Sequence, residues 1–431
     1  MFQRRHTHRI TGLVTLGLTA TLVLAGCGRA DDPGMDVEVG AIDSTPAVGD
    51  IEIWAAGDFG VQAADLFSAF EAVNDAVDVV VTDVPWTEIN SKVTNAIAAG
   101  TVPDLVLIGD VSQLIPTGGI QPVPHGVVED GAVYENALKR SQNQNGVQYG
   151  MPWYVEARML WYHTKIAQAA GVQAPTTWDE QTAFLQKLGE VDGVDWAVGM
   201  PVGHASFAYQ AIMPFFAQAG GSALTPDGTA WDLGSEAMVK ALAYYKSFFD
   251  LGLANPDAST DNAVQTFVSG QVAATFQGSY LAAVLDQAVK VDGFSAATFT
   301  ADVRPAGAVN NAAYLGGATW VVPTGSKNAD SAWKLVKWLQ EAPQQVSMFQ
   351  ITNNLPSLTS TWTDPAVATD AFMKAGIAQM SNTVSDVPVP TWSQVLAVID
   401  AESEKVVRGG TTPEDAAATI QQRAEAIGLG W

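Results

Sequence analysis

From residue 50 onward the chain alternates short β-branched runs with longer stretches whose apolar residues recur at helical spacing, and no other feature narrows the fold as much. "IEIW" (51–54) predicts a strand, "GDFG" a turn, and "VQAADLFSAFEAV" (61–73) a helix. "VDVVV" (77–81) is short and β-branched, "WTEINSKVTNAIAAG" (86–100) is helical and stops at glycine, and "PDLVLIG" (103–109) is a buried-type strand. Strand, helix, strand, helix, strand predicts an α/β architecture with a largely parallel sheet.

A second unit of the same kind follows "YGMPWYVEARMLWYH" (149–163). "TTWDEQTAFLQKLG" (176–189) carries a capping box, with Thr177 at the cap and Glu180 three residues on. Strands are expected at 196–201, 271–278 and 318–323, and helices at 235–252, 328–340 and 391–408. The last helix, 411–427, has Thr412 as cap and Pro413 at its first position. A chain of 431 residues is too long for one core, so two domains are expected.

The N-terminus reads as an export signal. Arg4, Arg5 and Arg9 precede an apolar run from Ile10 to Leu24, too short for a comfortable membrane span. It ends in "LAGC", which resembles a bacterial lipobox, in which cleavage would leave Cys27, the only cysteine, as a lipid-modified N-terminus. An ordinary signal peptide with a chance cysteine, or a buried apolar helix, is the competing reading. Residues 28–49 are small, acidic and Pro/Gly-bearing, which suits a flexible tether. Removing residues 1–26 takes away three arginines and no acid, which moves the formal charge from −24 to about −27. So acidic a chain repels nucleic acid and anionic lipid, so no nucleic-acid partner is expected.

Catalytic and metal signals are weak. The five histidines (His6, His8, His125, His163 and His204) show no ligand spacing, and no metal or cofactor is expected. There is no P-loop, no G-x-G-x-x-G after a strand and no G-x-S-x-G. The aromatic residues say more. Trp54, Trp86, Trp153 and Trp392 fall where strands end or loops begin, and Asp58, Asp110, Glu156 and Arg158 lie nearby in the pattern. Rings suit the C–H faces of sugars, and charged side chains make strong hydrogen bonds to hydroxyls. For any single tryptophan, burial in a core is the commoner role.

These residues together are similar to the extracellular sugar-binding lipoproteins of ABC importers, the family that includes maltose-binding protein. The likeness spans nearly all of 50–427: "IWAAGDFG", "TEINSKVTNAIAAGTVPDLVL", "YGMPWYVEARMLWYHTKIAQAAGVQAPTTWDE", "FVSGQVAATFQGSY" and "GGATWVVPTGSKNADSAWKLVKWL" occur in the family's order. His163 stands where relatives usually have Asn, and Tyr280 where they usually have Trp. The resemblance implies a two-lobed, periplasmic-binding-protein-like fold of type II, each lobe a mixed, mainly parallel sheet with flanking helices and a hinge between. It places the first lobe at 50–155 plus 305–350 and the second at 156–304 plus 351–431, behind a signal peptide (1–26) and a lipidated tether (27–49). It implies a monomer without catalysis, held to the outer face of the cell membrane by lipid on Cys27. It would trap a sugar, a di- or oligosaccharide, between the lobes and deliver it to the membrane permease. The other class considered is a lipid-anchored secreted carbohydrate-active hydrolase or lyase.

The resemblance also implies a ligand set. Asp58 would bind a sugar hydroxyl, or be a turn aspartate; Asp110 would face the cleft, or cap a helix. Trp153, Glu156 and Arg158 lie at the crossing between lobes, where Glu156 and Arg158 either bind solute or pair with each other as a hinge. Tyr280 would stack on the sugar, or be core. His204 and Phe207 follow a strand near a cleft loop, and Trp392 would offer a late ring. Gly316 and Gly317 would let backbone approach the ligand or hinge.

Overall fold

The computed structural model describes residues 39–431; the signal segment, Cys27 and residues 28–38 of the expected tether lie outside the described residues. Among the described residues, eleven strands build two sheets. In chain order they are β1 (Gly49–Ala56), β2 (Val77–Val84), β3 (Leu105–Ile108), β4 (Met151–Ala157), β5 (Met159–His163) and β6 (Trp196–Gly199). Then follow β7 (Val272–Gln277), β8 (Phe299–Asp302), β9 (Ala313–Val321), β10 (Leu355–Pro356) and β11 (Thr383–Val384). The first sheet runs β10-β4-β9-β3-β1-β2, with β11 paired to β9; the second runs β6-β7-β5-β8. In the first sheet β1 is parallel to β2 and β3, whereas β9 is antiparallel to β3 and β4. In the second, β6 and β7 are parallel, and β5 is antiparallel to both β7 and β8. Each sheet is therefore mixed, because the chain enters and leaves each lobe on strands that run against the local βα units.

Local sequence fixes the helix ends. Thr177 Oγ1 accepts from the Glu180 amide at 3.2 Å, while Glu180 Oε2 accepts from the Thr176 amide at 2.8 Å, one residue further out than the simplest box. Thr412 caps the helix Pro413–Ile427 by accepting from Asp415 N at 3.1 Å. Gly100, at φ 66°, closes the helix Ile89–Ala99 in the left-handed conformation. The expected helix at 61–73 is broken at Ala63 into Phe59–Gln62 and Ala64–Glu71.

Each lobe has its own core. Ile51, Ile53, Leu105, Trp153 and Trp320 are among the buried residues under the first sheet. Under the second, Leu160, Phe184, Phe215 and Tyr245 pack against Trp392, Ile399 and Ile420 of the last two helices. One residue, Arg158, separates β4 in the first sheet from β5 in the second. Leu355 and Pro356 pair with Val155 and Tyr154 in the first sheet. Leu355 is buried in the cluster of Val155, Leu315, Phe349 and Met373.

Candidate functional site

Register sets the crossing. Glu156 lies opposite Gly316 and Ala157 opposite Leu315, and Arg158 N donates to Tyr314 O at 3.1 Å. The Glu156 carboxylate fills space that two glycines leave: a Cβ on Gly316 would fall 2.3 Å from Oε1, and one on Gly278 2.0 Å from Oε2. Gly317, at φ 126°, faces Val155 just past an irregularity at Trp153, and a Cβ there would fall 2.4 Å from the Tyr154 carbonyl. Both expected glycines thus serve the crossing strands: Gly316 seats a carboxylate, and Gly317 adopts a backbone geometry that favours glycine.

Arg158 gathers residues from both lobes. It pairs with Glu156 at 3.4 Å. Its Nη1 donates to Gln277 Oε1 and to the Tyr280 hydroxyl (2.9 Å), and its Nη2 donates to Gln210 Oε1 (2.8 Å). The planar guanidinium reaches three acceptors at once, which a lysine ammonium on its flexible stem does not match. Burial raises the Tyr280 phenol above its ordinary value, with Arg158 opposing, so Tyr280 is a neutral hydroxyl at neutral pH. Its ring sits beneath Arg158, 5.6 Å from the guanidinium carbon.

A second polar group adjoins the first through Tyr314. Asp386 accepts from Arg140 Nη2 (3.1 Å), from the Tyr314 hydroxyl (2.9 Å) and from Trp392 Nε1 (3.0 Å). Arg140 also donates to Gly109 O at 3.1 Å. Asp110 accepts from the Ser112 amide at 2.9 Å, and burial, then the Asp386 charge, push its carboxyl above the usual range. The Tyr209 ring meets Tyr314 edge-on, with centroids 5.7 Å apart. A continuous polar strip therefore runs along the junction of the lobes, from Tyr280 to Asp110.

Arg158, Gln210 and Gln277 also border a cavity of about 490 Å³ that extends over the second lobe. Trp196, Phe207 and Phe276 give it apolar walls, and Asn255, Asp257 and Asn262 add polar edges.

Two expected rings are core residues instead. Trp153 is fully buried, wedged against Phe59, Tyr154 and Trp320, and offers no face to a solute. The irregularity in β4 turns it into the first lobe's core. Trp392 is 1% exposed and stacks on Trp231, so only its N–H edge reaches the polar strip, through Asp386. Asp58 is exposed at the start of the helix Phe59–Gln62 and makes no side-chain cap bond. His204 holds Asp400 through Nδ1 at 2.7 Å, and Phe207 lines the cavity.

Sequence reasoning missed Gln210, Gln277, Arg140, Tyr314 and Asp386. Gln277 directly precedes the "GSY" turn, but nothing in a linear sequence joins Arg140 to Asp386, 246 residues away. The sequence offers Trp86 only as a ring at a loop edge. It is 40% exposed, and its indole covers Gly57 and Gly109 at the ends of β1 and β3.

Two sheet-bearing lobes joined by crossing strands, with polar groups at their junction and a cavity beside it over the second lobe, define a two-lobed α/β binding protein. The profile of bacterial extracellular solute-binding proteins matches residues 65–375, and the chain belongs to that family. The family is one of binding proteins, which removes the hydrolase or lyase alternative. A binding protein of Brucella abortus is 24% identical over 83% of this chain and 88% of its own length. A maltooligosaccharide ABC transporter solute-binding lipoprotein of Streptococcus pneumoniae is 26% identical over 70% of each chain. The GacH receptor of Streptomyces glaucescens, crystallised unliganded and with acarbose, superposes with a TM-score of 0.79 at 22% identity, covering 88% of this chain and 98% of that one.

Proposed function

We propose that this protein captures a di- or oligosaccharide at the junction of its lobes and hands it to the permease of an ABC importer. The observation that carries the reading is the pairing of apolar walls with polar donors and acceptors. Trp196, Phe207 and Phe276 supply apolar faces, and Gln210, Gln277 and the Arg158 guanidinium supply hydrogen bonds in the same cavity. Sugars need both, because their rings present C–H faces and their edges present hydroxyls. The streptococcal relative's name assigns it maltooligosaccharides, and the GacH receptor takes acarbose.

Within this reading Glu156 and Arg158 are at once a hinge pair and part of the site, since Arg158 spans both lobes and borders the cavity. Asp58, Asp110, Phe207, Tyr280 and Trp86 complete the solute's surroundings when the lobes move. Solute favours the closed form because only that form lets both lobes touch it. The first lobe is assigned to 50–157 plus 313–384, and the second to 159–302 plus 385–431. Lipid on Cys27 tethers a monomer to the outer face of the membrane; the basic head and "LAGC" support this, as does the lipoprotein relative.

Thermal melting with mono-, di- and trisaccharides, run beside an assay for released product, tests the proposal. A raised melting temperature without turnover supports it. No shift from any sugar overturns the sugar reading, and steady product release overturns the receptor.

A further inference from the structure

The loop that forms one wall of the cavity is fastened from behind by a carboxylate with no part in the polar strip. Ser206, Phe207 and Gln210 line the cavity, and Gln210 is also an Arg158 partner. Phe207 sits at φ 54°, a left-handed conformation that a residue with a large side chain adopts only when its surroundings enforce it. Behind it lies Asp400, fully buried on the helix Trp392–Val407. Its Oδ1 accepts from the Tyr209 amide at 2.6 Å, and its Oδ2 meets His204 Nδ1 at 2.7 Å. Tyr209 opens the helix Tyr209–Gln218, so Asp400 caps that helix from a different element. The two bonds flank Phe207 on either side.

We propose that Asp400 is a positioning residue for solute capture, fixing the 203–210 loop against the cavity, and that a proton added to Asp400 loosens that loop and weakens binding. As a carboxylate it offers two acceptors to two donors. With His204 in the tautomer that carries hydrogen on Nδ1, a proton on Asp400 adds a third donor to those of His204 and the Tyr209 amide, so at least one bond must turn away. The groups around it leave little else to compensate. His204 comes from the loop, and Tyr245 from the helix Glu236–Asp250 gives its hydroxyl to Pro201 O. Glu404, on the same helix as Asp400, is taken by Arg408, which also holds Asp257 at the cavity's other lip (2.9 Å). On the helix Pro413–Ile427, Arg423 is engaged by Glu402. Burial pushes the Asp400 carboxyl up to about 6, with His204 and the Tyr209 amide opposing, so the proton arrives in a mildly acid medium. Linkage has the opposite sign for the fold. A carboxyl raised above its unfolded value binds the proton more readily when folded, so this group lowers global stability above pH 6 and ceases to do so as pH falls. Loss of binding on acidification at this site is therefore separable from acid unfolding.

The binding half of the inference rests on the carbohydrate reading; the loop half does not. The test is hydrogen exchange at the Tyr209 amide at pH 7.5 and 5.0, expressed as protection relative to the intrinsic rate, with maltotriose titrations at the same two pH values. In the wild type, protection should fall tenfold or more on acidification, and maltotriose affinity at least threefold. Asp400→Asn, which presents an amide donor in place of one acceptor, should show low protection at both pH values. Wild-type protection that is equal at the two pH values overturns the proposal without recourse to any variant. So does an Asp400→Asn loop as protected as the wild type at pH 7.5. A loosened loop with unchanged maltotriose affinity overturns the binding half. A loosened loop with no maltotriose binding at either pH supports the fastening and counts against the carbohydrate reading.

Discussion

Glu156 touches Arg158 at 3.4 Å through one carboxylate oxygen, while its other oxygen lies against Gly278, buried and without a hydrogen-bond partner. Glu156 belongs to the first sheet and Gly278 follows the last residue of β7 in the second, so this carboxylate is seated only while the two lobes meet. A buried oxygen left unpaired costs about 1–3 kcal/mol, which the lobe junction must offset elsewhere.

Gly278→Ala should displace that carboxylate, because the new Cβ would fall 2.0 Å from Oε2. We expect a loss of about 1–3 kcal/mol in urea unfolding, as for other overpacked sites. Glu156→Ala in the same chain should recover part of it, with a coupling of at least about 1 kcal/mol in the double-mutant cycle. Strictly additive effects would show that the two residues do not meet.

Arg158→Ala removes the cation that Glu156, Gln277, Tyr280 and Gln210 share. Breaking a buried pair from one side costs about 3–5 kcal/mol. Arg158→Lys should recover less than half, since a point charge does not span the same three acceptors. A lysine variant as stable as the wild type would contradict the geometry.

At the neighbouring cluster, two changes should differ in size. Asp386→Asn leaves Arg140 buried beside a neutral group and should cost about 3–5 kcal/mol. Trp392→Phe removes one N–H bond to Asp386 and some volume, for roughly 1–2 kcal/mol. Equal losses in the two variants would mean that the tryptophan's role is packing alone.

His163, buried between Phe267 and Phe299, bonds the Phe267 carbonyl through Nε2, and burial holds its pKa below the usual value. The folded state therefore binds fewer protons than the unfolded state. The contribution of this group is full above the unfolded value of about 6.5 and is lost as pH falls through the folded value. His163→Asn should flatten that part of the stability–pH curve. An unchanged curve would remove His163 from the account.

Much of this was legible in the chain. Strand and helix periods showed the two α/β units, and "TTWDE" and "TTPED" located two helix caps because capping chemistry is local. The stretch "PWYVEARMLWY" marked the crossing, since apolar strands on both sides of two charges fit a passage between cores. Whether Glu156 and Arg158 were hinge or site was undecidable there, because the acceptors Gln210 and Gln277 come from 52 and 119 residues away. Trp153 and Trp86 both looked like edge rings. An irregularity in the β4 pairing buries the first, and the glycines at the ends of β1 and β3 leave the second half-open. Such features depend on register and long-range packing, which periodicity does not encode.

The central claim is that solute is held where Arg158, Gln210 and Gln277 meet the cavity. Melting of the wild type and of Gln210→Ala/Gln277→Ala, each with and without a panel of di- and trisaccharides, tests it most directly. At a hundredfold excess over Kd a ligand adds about 2.7 kcal/mol of stability, enough for a shift of several degrees. We expect at least one sugar to raise the wild-type melting temperature by that amount, and the shift to vanish in the double variant while the sugar-free melting temperature changes far less. A shift of equal size in both proteins, or none in the wild type with any sugar, would contradict the account.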